Sequence, residues 1–180
     1  MLTAAMDAAK APQSTIGTPA SFAVERTLGR LGKWLRLMGF DTLAELDYPQ
    51  GEFMRHIGAE RIFLTRRQRL RDSLGRNTLF IRANDPAEQA VDLIRQAAIR
   101  VEDLRPFTRC ILCNEKTEAV ARSAVPRSVP DYVWNTQTHF SACPKCGRVY
   151  WRGSHTERAL KKLGDLFTAA GVARDGLMIH

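Results

Sequence analysis

Residues 22–39 read FAVERTLGRLGKWLRLMG, a sequence typical of a strand followed at once by a helix. The apolar run Phe22–Val24 predicts a short strand that ends at Glu25. From Thr27 to Met38 apolar residues recur at three- and four-residue steps, which predicts an amphipathic helix that ends at Gly39. The apolar positions of this helix are Leu28, Leu31, Leu35 and Met38.

The same alternation continues along the chain. Phe40–Leu43, Arg61–Thr65 and Thr78–Arg82 predict three more strands, with helices between them. Asp85-Pro86-Ala87-Glu88 is typical of a helix start, with Asp85 as the N-cap and proline in the first turn. Strands that alternate with helices in this way predict a small α/β domain with a largely parallel sheet.

Acidic side chains follow three of these strands within a few residues, namely Glu25, Asp47 and Asp85. Ligands gather beyond the carboxyl ends of the strands in such sheets, so these carboxylates are candidates to converge there. Clustered carboxylates bind Mg2+ or Mn2+, which activate water in phosphodiester cleavage. Each residue also has a simpler interpretation: Glu25 as the salt-bridge partner of a nearby arginine, Asp47 as a loop acid and Asp85 as a helix cap alone.

The net charge of +8 is concentrated in two places. Arg26, Arg30 and Lys33 share one stripe of the first predicted helix. Between residues 61 and 82, Asp72 is the single acid among seven arginines, which are Arg61, Arg66, Arg67, Arg69, Arg71, Arg76 and Arg82. A guanidinium can contact a phosphate with two parallel hydrogen bonds, so the cluster favours a nucleic-acid partner, with a solvated basic face as the alternative.

All four cysteines lie in two Cys-x-x-Cys pairs, Cys110 with Cys113 and Cys143 with Cys146. Two residues between thiolates allow one tight turn to direct both sulfurs at the same ion, and two such turns make a closed shell for a structural Zn2+. Gly147 suits a turn that needs a positive φ. Two disulfides or two redox dithiols are the alternative, although a chain of this length does not need disulfides to build a core.

The remaining composition bears on location. No apolar run approaches the roughly 20 residues that a membrane helix requires. Residues 1–20 are rich in Ala, Thr, Pro and Ser and carry no signal-peptide or presequence pattern. We therefore expect a disordered tail at residues 1–20, no membrane partner and a cytoplasmic protein.

Four blocks of the chain resemble the Mut-seven C-terminal RNase family. They are LGRLGKWLRLMGFDT at 28–42, IFLTR at 62–66, RPFTRC at 105–110 and CPKCGRVYWRGSH at 143–155. The resemblance implies a PIN-like nuclease domain at 21–107, a small β zinc ribbon at 108–155, and a C-terminal helix and tail at 156–180. It also implies a metal-dependent ribonuclease that acts on RNA phosphodiesters.

Two positions depart from the family pattern. Glu25 stands where the family has an aspartate after its first strand, and Arg67 stands where the family has an aspartate after Thr-Arg. Arg67 introduces a fixed cation that repels Mg2+ and is able to pair with Glu25 or Asp85. Asp72 lies a little over one helical turn beyond Arg67 and is a possible substitute carboxylate.

Three functions follow from these observations. The first is a ribonuclease in which Glu25, Asp47 and Asp85 hold catalytic Mg2+ or Mn2+. The second is a nuclease-derived RNA-binding protein with weak or no catalysis. The third is a zinc-ribbon adaptor that binds protein and no nucleic acid. Apart from these functions, the zinc ribbon is a candidate contact for a protein or ribonucleoprotein partner. For the first two functions, the predicted RNA-binding residues are Arg26, Arg30, Lys33, Arg66, Arg67 and Arg69.

Overall fold

The apolar run Phe22–Val24 forms the inner strand β1 of a four-stranded parallel sheet. Around it lie three further strands, which are β2 (Thr42–Ala44), β3 (Ile62–Thr65) and β4 (Thr78–Phe80). The spatial order is β2-β1-β3-β4, and every neighbouring pair is parallel. The strands are short and apolar because helices cover both faces of the sheet.

The structure is a computed structural model that describes residues 20–74, 77–125 and 129–173, without the side chains of residues 72–74. The predicted disordered tail lies outside the described residues except for Ala20. The same holds for Arg76, for the Asp72 side chain and for residues 174–180 at the end of the predicted C-terminal tail.

The helices connect the strands and continue into the second half of the chain. They are α1 (Gly29–Met38), α2 (Phe53–His56), α3 (Gln68–Leu74), α4 (Pro86–Gln96), α5 (Asp131–Thr136) and α6 (Ser154–Ala170). The predicted helix start at Asp85 is confirmed, since its side chain accepts hydrogen bonds from the backbone N–H groups of Ala87 and Glu88.

The two faces of the sheet have separate cores because successive side chains of a strand point in opposite directions. Phe22 and Val24 pack with the apolar faces of α1, α4 and α6 in the main core. Ala23 packs with Phe53 and Phe63 on the other face. These layers confirm the predicted α/β fold.

Gly39 ends α1 and allows the segment that begins at Arg105 to pack closely against the end of this helix. Its φ of +98° is unfavourable for other residues, and an added Cβ would lie 2.2 Å from the Arg105 carbonyl oxygen. This close approach allows the backbone N–H groups of Arg105 and Phe107 to bond the carbonyls of Met38 and Leu37. The end of α1 thereby anchors the start of the cysteine-containing segment.

The cysteine-containing segment forms a second sheet, which is antiparallel, with strands β5 (Glu118–Val120), β6 (Phe140–Ala142) and β7 (Val149–Trp151) in that order. Its small core contains Val133 and Phe140, with Trp134 and Trp151 packed against them. The predicted small β ribbon and C-terminal helix are both present, and α6 returns Leu163 and Phe167 to the main core.

No helix in the described residues is long and apolar enough to cross a membrane.

Candidate functional site

The carboxylate of Glu25 lies at the carboxyl end of β1 and is only 1% exposed. Its Oε1 accepts hydrogen bonds from the Thr27 hydroxyl at 2.5 Å and the Arg66 backbone N–H at 2.9 Å. Its Oε2 accepts one from the Thr65 hydroxyl at 2.8 Å. A buried carboxylate needs such partners because its desolvation is otherwise too costly.

Arg67 supplies the compensating positive charge at this edge of the sheet. Its Nε lies 3.2 Å from Oε2 of Glu25, and its Nη2 lies 3.7 Å from Oε2 of Glu45. Glu45 directly follows β2 and also accepts a hydrogen bond from the Arg26 backbone N–H at 2.8 Å. We call Glu25, Glu45 and Arg67 the acidic edge. The predicted pairing of Arg67 with Glu25 is present.

The other two predicted catalytic carboxylates have different partners. Asp47 forms an ion pair with the buried Arg36, and Asp85 caps α4. Within the described part of the chain, three His, Cys, Asp or Glu side chains come close enough to share a metal ion only at the four cysteines. Glu25 and Glu45 instead share a guanidinium, so this arrangement does not fit Mg2+ or Mn2+. A catalytic role for Glu25, Asp47 and Asp85 stays a prediction.

The predicted RNA-binding residues divide into two groups. Arg26, Arg30, Lys33 and Arg69 are exposed, and the first three lie at helical spacing along one stripe of α1 and the turn before it. The second group already has protein partners: the half-buried Arg66 donates to the Asn84 side chain, and Arg67 pairs with Glu25. The exposed group is available to phosphates, and its contact with RNA stays a prediction.

The four cysteine sulfurs lie within 4.8 Å of one another, and those of Cys110 and Cys146 are 3.8 Å apart. A tetrahedral shell with Zn–S bonds of about 2.3 Å places its sulfurs about 3.8 Å apart. The cysteines are free rather than disulfide-bonded. The cluster can therefore hold a metal ion such as zinc, as the spacing predicted.

The two cysteine turns share one backbone pattern. The backbone carbonyl of Cys110 accepts a hydrogen bond from the backbone N–H of Asn114, four residues later, at 2.9 Å. The carbonyl of Cys143 accepts the equivalent bond from Gly147, also at 2.9 Å. Both of these residues have a positive φ, +66° and +69°. The positive φ expected of Gly147 is confirmed, and Asn114 is the residue type other than glycine that tolerates it best.

The Cys110 thiol is set up to act as a thiolate. Its burial acts to raise its pKa, but hydrogen bonds from the Tyr150 hydroxyl and from the backbone N–H groups of Cys113 and Leu112 outweigh burial and lower the pKa to about 6. The Tyr150 oxygen lies 3.1 Å from Cys110 Sγ. Burial raises the pKa of Cys143, so a bound metal ion would be needed to stabilise that thiolate.

Arg36 joins the first cysteine turn to the sheet. Although only 3% exposed, it donates to the carbonyls of Thr42 and Leu112, at 2.8–3.0 Å, as well as to Asp47. Asn114 accepts from the Thr42 backbone N–H at 2.9 Å and donates to Asp41 at 2.7 Å. Contacts thus cross the predicted boundary at residue 108, and the domain bounds stay a prediction.

Glu45 is the member of the acidic edge that the sequence did not predict. The predicted strand Phe40–Leu43 begins two residues before the observed β2 and ends one residue short of its end; Phe40 instead packs edge-on against Phe22 in the core, with ring centroids 5.4 Å apart. With the strand placed correctly, Glu45 follows β2 as Glu25 follows β1. That equivalent position was the available signal.

The comparisons with known proteins agree with this geometry. The family model described as the Mut7-C RNAse domain matches residues 20–163, most of the chain. No curated protein and no solved structure matches. The matched segment contains the parallel sheet, the acidic edge and all four cysteines, and the chain therefore belongs to the Mut7-C RNAse domain family, with a nuclease-like, RNA-related function.

Proposed function

We propose that this chain is a nuclease-derived RNA-binding protein in which the guanidinium of Arg67 takes the place of a catalytic metal ion. The observation that carries the proposal is the position of Arg67, within 3.2 Å of Glu25 and 3.7 Å of Glu45. A second cation beside this guanidinium would be repelled at short range.

The charges outside the acidic edge support RNA binding. Arg26, Arg30, Lys33 and Arg69 are exposed, and phosphate attraction to such cations is the main source of affinity for nucleic acids of any sequence. The zinc ion proposed for the four cysteines is structural in this function, because four thiolates leave no open coordination position.

Binding is tested by fluorescence anisotropy of a labelled single-stranded RNA at several salt concentrations, with EDTA or with Mg2+. Each phosphate contact contributes a slope of about −0.7 in log K against log salt for a single strand, so four exposed cations predict a slope of about −3. We expect the same affinity with and without Mg2+. Absence of RNA binding at every salt concentration would instead indicate the adaptor function.

Cleavage is tested on the same RNA in Mn2+, Mg2+ or EDTA. We expect no cleavage by the parent protein and metal-dependent cleavage by Arg67→Asp, which converts the edge into a set of three carboxylates. Arg69→Asp is the matched control: it makes the same charge change two residues further on, in α3 and outside the acidic edge, and should weaken binding without creating cleavage.

A metal-dependent ribonuclease is the second candidate function. The observation that favours it is the 56% exposure of Arg67. Because this side chain is long and lies mostly in solvent, it can break its ion pair with Glu25 and turn away, which would open the Glu25 carboxylate to a metal ion. In this function Glu25, Asp47 and Asp85 would hold Mg2+ or Mn2+. Cleavage by the parent protein that EDTA and Glu25→Gln both abolish would establish it and overturn the first proposal.

A further inference from the structure

Two adjoining cavities lie where the end of α1 meets the antiparallel sheet. Each has a volume of about 340 Å³, and both are lined by Phe107, Tyr150 and Trp151. We call them together the ribbon cleft. The three rings are half-buried, and the Tyr150 hydroxyl donates a hydrogen bond to Cys110 Sγ. The cleft therefore presents ordered aromatic surfaces beside the four cysteines.

The charge of the ribbon cleft has one sign. Arg109 and Arg148 line one cavity and Arg152 lines the other, and no aspartate or glutamate is among the described lining residues of either. Arg109 donates to the carbonyls of Gly39 and Asn114 and lies 4.0 Å from Asp41, so Arg148 is the exposed cation of its cavity. The larger groove of about 860 Å³ between α4 and α6 differs, since it includes Glu88 and Asp165 in its lining. Aromatic faces combined with cations and no acids match a single strand of nucleic acid, whose bases stack and whose phosphates are anionic.

Phe107 adds an independent observation. Its φ is +63°, which is rare and unfavourable for a residue other than glycine. The conformation is held by the hydrogen bond from its backbone N–H to the Leu37 carbonyl at 3.0 Å. Such strain concentrates at ligand-binding positions, and here it turns an aromatic side chain into the cleft.

The basic stripe leads to the ribbon cleft. Arg26, Arg30 and Lys33 continue at helical spacing to Leu37, which lines one of the cavities. α1 is 10 residues long, so about 15 Å separates its start at the acidic edge from its end at the cleft. A single strand that follows the stripe reaches both.

We propose that the ribbon cleft binds the nucleobases of single-stranded RNA by stacking on Phe107, Tyr150 and Trp151, while the exposed Arg148 neutralises an adjacent phosphate. This proposal rests on the proposed function, because it names the part of the RNA that a second surface recognises. Base–aromatic stacking contributes about 1–3 kcal/mol per base, which is about 5- to 150-fold in affinity.

The experiment compares a short single-stranded RNA with the same strand in which central bases are replaced by abasic riboses, so that the charge stays constant. We expect the parent protein to bind the abasic strand at least about 5-fold more weakly. In Trp151→Leu this ratio should fall towards one. Trp134→Leu is the matched control, because Trp134 packs in the same small core but lines neither cavity, so its ratio should equal that of the parent.

A second measurement does not depend on a folded variant. RNA containing 4-thiouridine is cross-linked to the parent protein, and the modified peptide is expected to contain Phe107 or residues 148–152. Salt-dependent binding with equal affinity for both strands, or cross-links elsewhere, would overturn the cleft proposal and leave the proposed function intact. Absence of any RNA binding would overturn both, and the cleft would then be assigned to a protein partner.

Discussion

The four cysteines and the acidic edge are both places where a cation can be held, but the cation comes from a different source at each. The four cysteines come together within 4.8 Å and retain every ligand for a metal ion. At the acidic edge, the carboxylates of Glu25 and Glu45 share the guanidinium of Arg67. One site still requires an ion from solution, whereas the other has its positive charge supplied by the polypeptide.

Under the proposed function, this difference accounts for RNA binding without catalysis. A side-chain cation neutralises Glu25 and preserves the packing of the sheet edge, but it has no open coordination position at which to activate water. The exposed cations and the ribbon cleft do not depend on that ion. Loss of catalysis with retention of RNA binding is the outcome we expect of this combination.

The largest effect is expected from breaking the cysteine cluster. Cys143→Ser removes a buried ligand, and because structural zinc contributes much of the folding free energy of a small ribbon, we expect Tm to fall by about 10 °C and zinc content to be lost. Thermal unfolding followed by circular dichroism and metal analysis check this. An unchanged Tm in a zinc-free variant would show that the ribbon folds without metal.

The next effect is expected at Arg36, which contacts both regions. Arg36→Met removes a buried cation and leaves the carbonyls of Thr42 and Leu112 without this donor, at an expected cost of about 3 kcal/mol in the free energy of unfolding. Urea denaturation measures it. The exposed Arg30→Met is the control and should cost less than about 0.5 kcal/mol.

A smaller effect should follow from removing the charge of the acidic edge. Glu25→Ala leaves the Thr65 hydroxyl and the Arg66 N–H without their buried acceptor, which we expect to cost about 2 kcal/mol. Glu45→Ala, at a more exposed carboxylate of the same cluster, should cost under about 1 kcal/mol. Equal losses in urea denaturation would mean that burial does not distinguish the two glutamates.

The smallest effect concerns Asp41, which joins the sheet to the first cysteine turn. Burial acts to raise the pKa of Asp41, but hydrogen bonds from Arg61 and Asn114 and the charges of Arg61 and Arg109 lower it below 3.8. Because the folded-state pKa is depressed, its stabilisation is present above the unfolded-state pKa and is lost as the pH falls through the folded-state value.

Asp41→Asn should therefore lower Tm by about 2–4 °C at pH 7, equivalent to about 1 kcal/mol. The difference from the parent should shrink as the pH falls below about 4. Calorimetry at a series of pH values measures it, and a Tm difference that is constant down to acid pH would contradict a role for the Asp41 charge.

Much of the fold followed from local patterns. The α1 periodicity of Leu28, Leu31 and Leu35, the cap at Asp85 and the spacing of the cysteines are each confined to a few residues, so each was predictable. The bounds of β2 were not, because Phe40 is apolar enough for a strand but packs on Phe22 in the core. This small shift of the strand made Asp47, rather than Glu45, the expected member of the site.

The sequence alone determined the alternation of strands and helices, the ligand set for a metal ion and the positive charge of the chain, because these properties depend on residue identity and short spacing. Only the tertiary structure decided which of the expected partners Arg67 takes, that Glu45 joins Glu25 beside it, and that Asp47 pairs with Arg36. Arg67 meets Glu25 and Glu45 because three parallel strands end at one edge of the sheet, and Asp47 turns to Arg36 because that buried guanidinium needs a carboxylate. Such pairings depend on burial and on contacts between distant segments, which no local pattern encodes.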